Sequence, residues 1–188
     1  SLGAMKRCAQ LMTRYARQRT IATGRLLDNI VTRERLTQVT VEITALGALV
    51  RRVAGWLDQG VELPKEYYAA IKVLAAEAAY RAADTLVQLL GGRGYIETNV
   101  APQLLRDVRL RRVFEGPSET MQMFVGHRLG VDNHPFCRFL REQLGAAEAA
   151  NGLEQASQQV ATETLDGQRA AMLLGDLGTW TLWLAVVD

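Results

Sequence analysis

One carboxylate in this chain, Glu115, has neighbours that suit acid–base chemistry. It lies between an aromatic residue and a glycine, in the segment Phe114-Glu115-Gly116. An apolar neighbour that excludes water raises the pKa of a carboxyl group, which suits a general base, and glycine lets a ligand approach the backbone closely. The alternative is an acid at the start of a helix, where its charge meets the positive end of the helix dipole. Spacing alone leaves both interpretations open.

A second segment, Gly91-Gly92-Arg93-Gly94, could bind phosphate through its backbone amide groups. It follows a predicted helix and not a strand, so it lacks the context of a dinucleotide-binding fingerprint or a P-loop. The alternative is a glycine-rich stop and turn at the end of that helix.

Basic residues recur from 106 to 112 and could bind phosphate or nucleic acid. No aromatic residues are interspersed and Asp107 lies among them, so the alternative is a helix face stabilised by salt bridges. The net charge of +2 is too small to indicate a nucleic-acid partner. His127 and His134 do not have metal-site spacing with any cluster of acids, so we interpret both as structural and expect no metal.

Helices must position these residues, because no segment shows the two-residue alternation of a strand. The most regular pattern runs from Leu36 to Leu57, where apolar residues repeat every three or four positions, as in the seam of a helical bundle. The predicted helices cover residues 2–22, 29–58, 65–90, about 100–113, 117–129, 136–149 and 154–187, the last interrupted near Gly167 and Gly175. The pattern predicts an all-α fold: an up-down four-helix bundle with a helical C-terminal tail. We place the domain boundary between residues 1–131 and 132–188.

The last part of the tail, residues 170–187, approaches the length of a membrane span. Asp176 near its middle and two glycines argue against a span. We expect Trp180 and Trp183 to pack on a partner helix or on another subunit.

Both ends of the chain suggest a C-terminal portion of a longer protein. The first residues already follow a helical period, and the last ones are apolar, whereas natural termini are usually polar and loose. Two cysteines, Cys8 and Cys137, are too few for a disulfide framework, which predicts a reducing, cytoplasmic location.

The order and spacing of these motifs are similar to those of the C-terminal helical domain of the flavin-dependent acyl-CoA dehydrogenases. The motifs that carry the resemblance, over about residues 2–130, are Tyr15-Ala16-Arg17-Gln18-Arg19, Gln88-Leu89-Leu90-Gly91-Gly92-Arg93-Gly94-Tyr95, Arg106-Asp107 and Phe114-Glu115-Gly116-Pro117-Ser118-Glu119. The resemblance implies α,β-desaturation of an acyl thioester, with Glu115 removing the α-proton and FAD taking the β-hydride. It also implies that the backbone N–H of Glu115 polarises the thioester carbonyl, because the α-proton is acidic enough only while that oxygen is stabilised.

The resemblance implies further contacts with FAD, partly across a homodimer or homotetramer formed through the bundle. The residues expected at the cofactor are Arg19 at the diphosphate, Gln88, Gly91 and Gly92 at the FAD of a neighbouring subunit, and Phe114 and Gly116 beside the flavin. The implied partners are an acyl-CoA or acyl-carrier-protein thioester and an electron-transfer acceptor. Pro117 departs from the family, which commonly has threonine at that position.

The family's N-terminal helical domain and middle β-domain are not in these residues. We therefore expect the chain alone to carry the base without a complete active site, and not to hold FAD tightly. The alternative is a non-catalytic module that retains the family bundle for oligomerisation, for which the seam from Leu36 to Leu57 and the two tail tryptophans argue.

Overall fold

The computed structural model describes residues 1–131 and 135–187, without the side chain of Val187. His134 and most of the segment where we placed the domain boundary lie outside these residues. The helices that it describes are α1 (Leu2–Gln18), α2 (Ile30–Asp58), α3 (Lys65–Leu90), α4 (Gly92–Tyr95), α5 (Val100–Leu110), α6 (Ser118–Gly130), α7 (Pro135–Leu144), α8 (Ala147–Thr162) and α9 (Gly167–Val187). The predicted all-α fold class is confirmed.

The first helix is shorter than predicted, because the chain turns extended after Gln18. Arg19 has φ −79° and ψ 122°, and a two-residue antiparallel hairpin follows, β1 (Thr20–Ile21) and β2 (Gly24–Arg25). The β-branched residues of β1 favour extended backbone, and Gly24 takes a φ of 116° that glycine adopts easily. A short 3-10 helix (Leu26–Asp28) leads into α2.

The tail also differs from its prediction. The break near Gly167 is where it was predicted, between Thr162 and Gly167, but α8 begins at Ala147 instead of 154. Gly175 does not interrupt α9. It lies where two helix backbones touch, since a Cβ atom built on it would lie 2.0 Å from the carbonyl oxygen of Gln122 on α6.

The described chain divides into two compact units, and α2 and α3 each contribute residues to both. The first unit consists of Ser1–Gly47 and Ala75–Glu115. In α1, the buried positions are Met5, Cys8, Met12 and Ala16, which step by three or four residues and so lie on one face of the helix. The buried carboxylate of Glu42 accepts a hydrogen bond of 3.0 Å from Arg81, which joins α2 to α3 within this unit.

The second unit consists of Ala48–Leu74 and Gly116–Asp188. Its core is aromatic: the Tyr67 ring lies 4.6 Å from the rings of both Phe136 and Phe139, measured between centroids. Trp183 packs against this core, whereas Trp180 is 56% exposed. None of the helices described is long and apolar enough to cross a membrane.

The predicted seam of α2 is only partly internal. Val39 and Leu46 are buried, as a bundle seam requires, but Val50 and Leu57 are exposed. The periodicity therefore identified the helix and its apolar face without showing how far that face is covered.

Candidate active site

Glu115 lies in a turn between α5 and α6. The turn begins with hydrogen bonds from the N–H groups of Val113 and Phe114 to the carbonyl oxygen of Leu110, at 2.9 and 3.0 Å. Glu115 then takes a φ of 56°, which makes it the sole non-glycine residue with positive φ among those described, and Gly116 follows at 105°. A left-handed backbone disfavours every residue with a Cβ atom, so this turn holds a glutamate in a strained conformation.

The Glu115 carboxylate is exposed. Within residues 1–131 and 135–187 it has no hydrogen-bond or ion-pair partner, and the backbone N–H of Glu115 donates to no group. Phe114, its apolar neighbour, is 44% exposed. The turn thus presents a carboxylate, an N–H donor and an aromatic face that are all free to meet a ligand.

The start of α6 argues against the alternative interpretation of Glu115 as a helix-start acid. The helix begins at Ser118 with Pro117 as its N-cap, and the acid in its first turn is Glu119. Because the influence of a helix dipole falls off within the first turn, Glu119 fits that role and Glu115 lies before it.

Gly116 is held from another helix of the second unit. The ammonium group of Lys72 on α3 donates a hydrogen bond to the Gly116 carbonyl oxygen. The sequence did not point to Lys72, because 44 residues separate it from Gly116 and no local pattern links positions that far apart.

The glycine-rich segment ends α3, as the turn interpretation predicted, and then forms the short helix α4. Gly91 has φ 59° and its carbonyl oxygen accepts a hydrogen bond of 2.8 Å from the Gly94 N–H. A Cβ atom on Gly94 would lie 2.4 Å from the Val87 carbonyl oxygen. The positive φ therefore explains why residue 91 is a glycine, and the close contact with Val87 explains why residue 94 is one. Gly92 has open space around it. Gln88, Gly91 and Gly92 are all exposed.

Arg19 follows α1 with its backbone fixed and its side chain exposed. Its N–H donates to the Tyr15 carbonyl oxygen at 2.9 Å, and its own carbonyl oxygen accepts from the Leu26 N–H at 2.8 Å. No carboxylate pairs with the guanidinium in the part of the chain described. An unpaired guanidinium and an exposed glycine pair are groups that fit an anionic diphosphate and its attached rings.

Basic residues between 106 and 112 form ion pairs with carboxylates of their own unit. Arg106 lies 2.7 Å from Glu97, and the hydrogen bond from Arg106 lowers the pKa of Glu97. Arg112 lies 2.7 Å from Glu77, and its guanidinium lies 4.6 Å from the centre of the Tyr80 ring. The salt-bridged interpretation is confirmed for Arg106 and Arg112.

His127 lies exposed on α6. No group of three or more metal-binding side chains occurs among the residues described.

The candidate residues thus occupy three places: Arg19 after α1, Gln88 with Gly91 and Gly92 at the end of α3, and Phe114 to Gly116 between α5 and α6.

Comparison with known proteins gives the same family as the motifs. The family described as "Acyl-CoA dehydrogenase, C-terminal domain" matches residues 1–130. The mitochondrial very long-chain specific acyl-CoA dehydrogenase of Mus musculus is 27% identical over 123 residues, which are 65% of this chain and 19% of that protein.

Two solved structures show the same fold. An acyl-CoA dehydrogenase from Slackia heliotrinireducens is 28% identical with a TM-score of 0.61, over 67% of this chain and 33% of that one. An acyl-CoA dehydrogenase complexed with FAD from Bacillus anthracis is 17% identical with a TM-score of 0.74, over 97% of this chain and 39% of that one. The second likeness extends over α7, α8 and α9. The chain spans less than half of the length of each of these three proteins.

Proposed function

The chain belongs to the acyl-CoA dehydrogenase family, as its C-terminal domain, and we propose that it forms part of a flavoenzyme that desaturates an acyl thioester. Glu115 takes the α-proton, the electron pair of that C–H bond forms the new double bond, and the β-hydrogen leaves as hydride. Bound FAD would supply the acceptor for this hydride. The family match and the FAD named with the Bacillus anthracis relative support the proposal.

The backbone of Glu115 is the observation that carries the proposal. A left-handed conformation costs a residue with a Cβ atom about 1–2 kcal/mol, and such strain clusters at active sites. Glu115 accepts it with an unpaired, exposed carboxylate, so its side chain makes no hydrogen bond or ion pair in the described chain that would offset the strain. A role toward substrate explains why a glutamate lies at a position that suits glycine.

The free N–H of Glu115 supports a second role in the same residue. An α-proton next to a thioester becomes removable only when the carbonyl oxygen is stabilised as charge develops on it. A donor that lacks a partner in its own chain is available to bind that oxygen. Phe114 would cover one side of the reacting thioester and exclude water.

The proposed cofactor contacts follow the same logic. The unpaired guanidinium of Arg19 would bind the diphosphate of FAD. Gln88, Gly91, Gly92 and Gly116 would let the cofactor approach the backbone closely, since the first three are exposed and glycine presents no side chain. We propose that some of these contacts come from a neighbouring subunit of a homodimer or homotetramer.

Proton removal can be tested apart from hydride transfer. Phenylacetyl-CoA has α-protons but no β-hydrogen that can leave as hydride. Exchange of its α-protons in deuterated water, catalysed by the full-length protein, therefore reports on the base alone. We expect Glu115→Gln to slow this exchange by about 10²–10⁴-fold, the usual contribution of a positioned base, and to retain FAD.

Glu119→Gln is the matched control, because it makes the same chemical change four residues further on, in the first turn of α6. It should exchange the α-protons at the wild-type rate. Wild-type exchange by Glu115→Gln would refute the assignment of the base. In a separate measurement on the wild-type protein, reduction of bound FAD by butyryl-, octanoyl- or palmitoyl-CoA would identify the acyl chain.

The remaining partners are proposals that follow from the family. They are a CoA or carrier-protein thioester and an electron-transfer acceptor; the cytoplasmic setting is proposed from the two cysteines instead. We also propose that residues 132–188 form a helical tail added to the bundle of residues 1–131.

A non-catalytic assembly module is the second candidate, and one observation favours it. Three large apolar side chains in the part of α2 that belongs to the first unit are exposed by 47–61%: Ile30, Val31 and Val41. Such a surface suits burial against another subunit or domain. A full-length protein that oligomerises but neither binds FAD nor exchanges α-protons would favour this candidate over the enzyme.

A further inference from the structure

The turn that carries Glu115 has almost no hydrogen bonds of its own. Among the described residues, neither Glu115 nor Gly116 donates a backbone hydrogen bond, and Pro117 has no N–H group to donate. Both Glu115 and Gly116 have positive φ. Secondary structure therefore does not fix the orientation of these peptide groups.

One contact reaches this segment from elsewhere in the second unit. The ammonium group of Lys72 donates to the Gly116 carbonyl oxygen, and within residues 1–131 and 135–187 this is the single hydrogen bond in which Glu115 or Gly116 takes part. Lys72 is partly buried on α3, between the buried residues Ala70 and Val73. No carboxylate pairs with it in the described chain, so its charge is directed at a backbone oxygen.

A glycine in this place makes that contact consequential. Gly116 can rotate about φ and ψ more freely than any other residue, so the peptide groups on either side of it could take several orientations. A bond from a charged donor is stronger than one between neutral groups. The bond from Lys72 fixes the peptide group between Gly116 and Pro117. It thereby anchors the end of the turn and limits the positions that Glu115, one residue earlier, can take.

We propose that Lys72 is a positioning residue for the reaction, which holds the turn of Glu115 in its productive orientation through the Gly116 carbonyl. This inference rests on the proposed function, because it assigns Lys72 a role only through the base. Lys72 itself does not contact the substrate or take up a proton.

The test uses the full-length flavoprotein with Lys72→Met, which keeps the length and apolar part of the side chain but removes the donor. Exchange of the α-protons of phenylacetyl-CoA should slow by about 10- to 100-fold, as expected when a reacting group is misplaced by about 1 Å. With whichever of butyryl-, octanoyl- and palmitoyl-CoA reduces the bound FAD, kcat should fall while KM stays unchanged. Lys72→Arg, which retains a charged donor, should recover part of the rate.

Lys65→Met is the matched control, since Lys65 lies on the same helix but is exposed and has no partner in the described chain. It should exchange at the wild-type rate. Rates are expressed per FAD-loaded molecule, so that a loss of folded protein does not count as slower chemistry. If Lys72→Met fails to fold, Lys72→Leu, which also lacks a donor, is measured in its place.

Three outcomes distinguish a positioning role of Lys72, a merely structural role, and failure of the proposed function. A slow Lys72→Met protein with full FAD content and partial rescue by arginine supports the inference. A normal exchange rate per FAD-loaded Lys72→Met molecule overturns it, even if the variant melts at a lower temperature, because Lys72 would then be merely structural. If wild type does not exchange α-protons, or Glu115→Gln exchanges them normally, the proposed function itself has failed and the inference fails with it.

Discussion

The left-handed backbone of Glu115 makes a prediction about stability that is independent of catalysis. Replacing Glu115 with glycine removes a Cβ atom from a residue whose φ is 56°. Because the side chain is exposed and unpaired in the described chain, the substitution removes no hydrogen bond or ion pair. Glu115→Gly should therefore make the chain more stable, although glycine usually destabilises a folded protein.

The magnitude follows from two opposing effects. Relief of the left-handed strain contributes about 1–2 kcal/mol, while the greater freedom of glycine in the unfolded chain costs about 0.5–1 kcal/mol. The free energy of unfolding should rise by about 0.5–1 kcal/mol. Glu119→Gly, four residues on and within α6, should lower it by about 1 kcal/mol, because it loses helix propensity and a favourable charge at the helix N-terminus.

Urea unfolding of the purified chain, followed by far-ultraviolet circular dichroism, measures the stability of both variants under one condition. The two midpoints should move in opposite directions from wild type. A loss of stability in Glu115→Gly as large as that in Glu119→Gly would refute the reasoning. It would show that the Glu115 side chain makes a stabilising contact, and the strain would no longer argue for a catalytic role.

Three further predictions concern packing and titration. Gly126→Ala should destabilise the chain by several kcal/mol in urea unfolding, because its Cβ atom would lie 1.7 Å from a backbone oxygen of α9; Gly152→Ala, in open space on α8, should stabilise it slightly. Burial raises the pKa of Asp176, so stability is lost as pH rises through the raised pKa and the carboxyl group ionises. Asp176→Asn should therefore raise the urea midpoint at pH 7. This gain should vanish below the pKa that the carboxyl group has in the unfolded chain. Burial raises the thiol pKa of Cys8 to about 11 and of Cys137 to about 12, so both should react with iodoacetamide only after unfolding.

The long helices were predictable because their signal is local. Apolar residues three and four positions apart must lie on one face of a helix, and the predicted 29–58 and 65–90 agree with α2 (Ile30–Asp58) and α3 (Lys65–Leu90). The error at α1 has a local cause too. Its apolar period runs on past Gln18, but the extended preference of Thr20 and Ile21 ends the helix first.

The candidate site was predictable only as residue types in order. The segment from Phe114 to Gly116 stood out because an acid between an aromatic residue and a glycine suits a base. Its competing interpretation as a helix-start acid depends on where α6 begins, and the structure places the N-cap at Pro117, two residues after Glu115. Where a helix begins is the least reliable part of a sequence-based assignment.

By itself, the sequence of this protein determined that it is helical, that it belongs with the acyl-CoA dehydrogenases over residues 1–130, and which carboxylate is the candidate base. Only the tertiary structure decided that Glu115 takes a left-handed backbone and that Lys72 donates a hydrogen bond to the carbonyl oxygen of Gly116. It also decided that Gly126 and Gly175 are sites of close helix contact. The physical reason is separation along the chain: helical periodicity acts over a few residues, whereas these features depend on backbone and side chains brought together from distant positions.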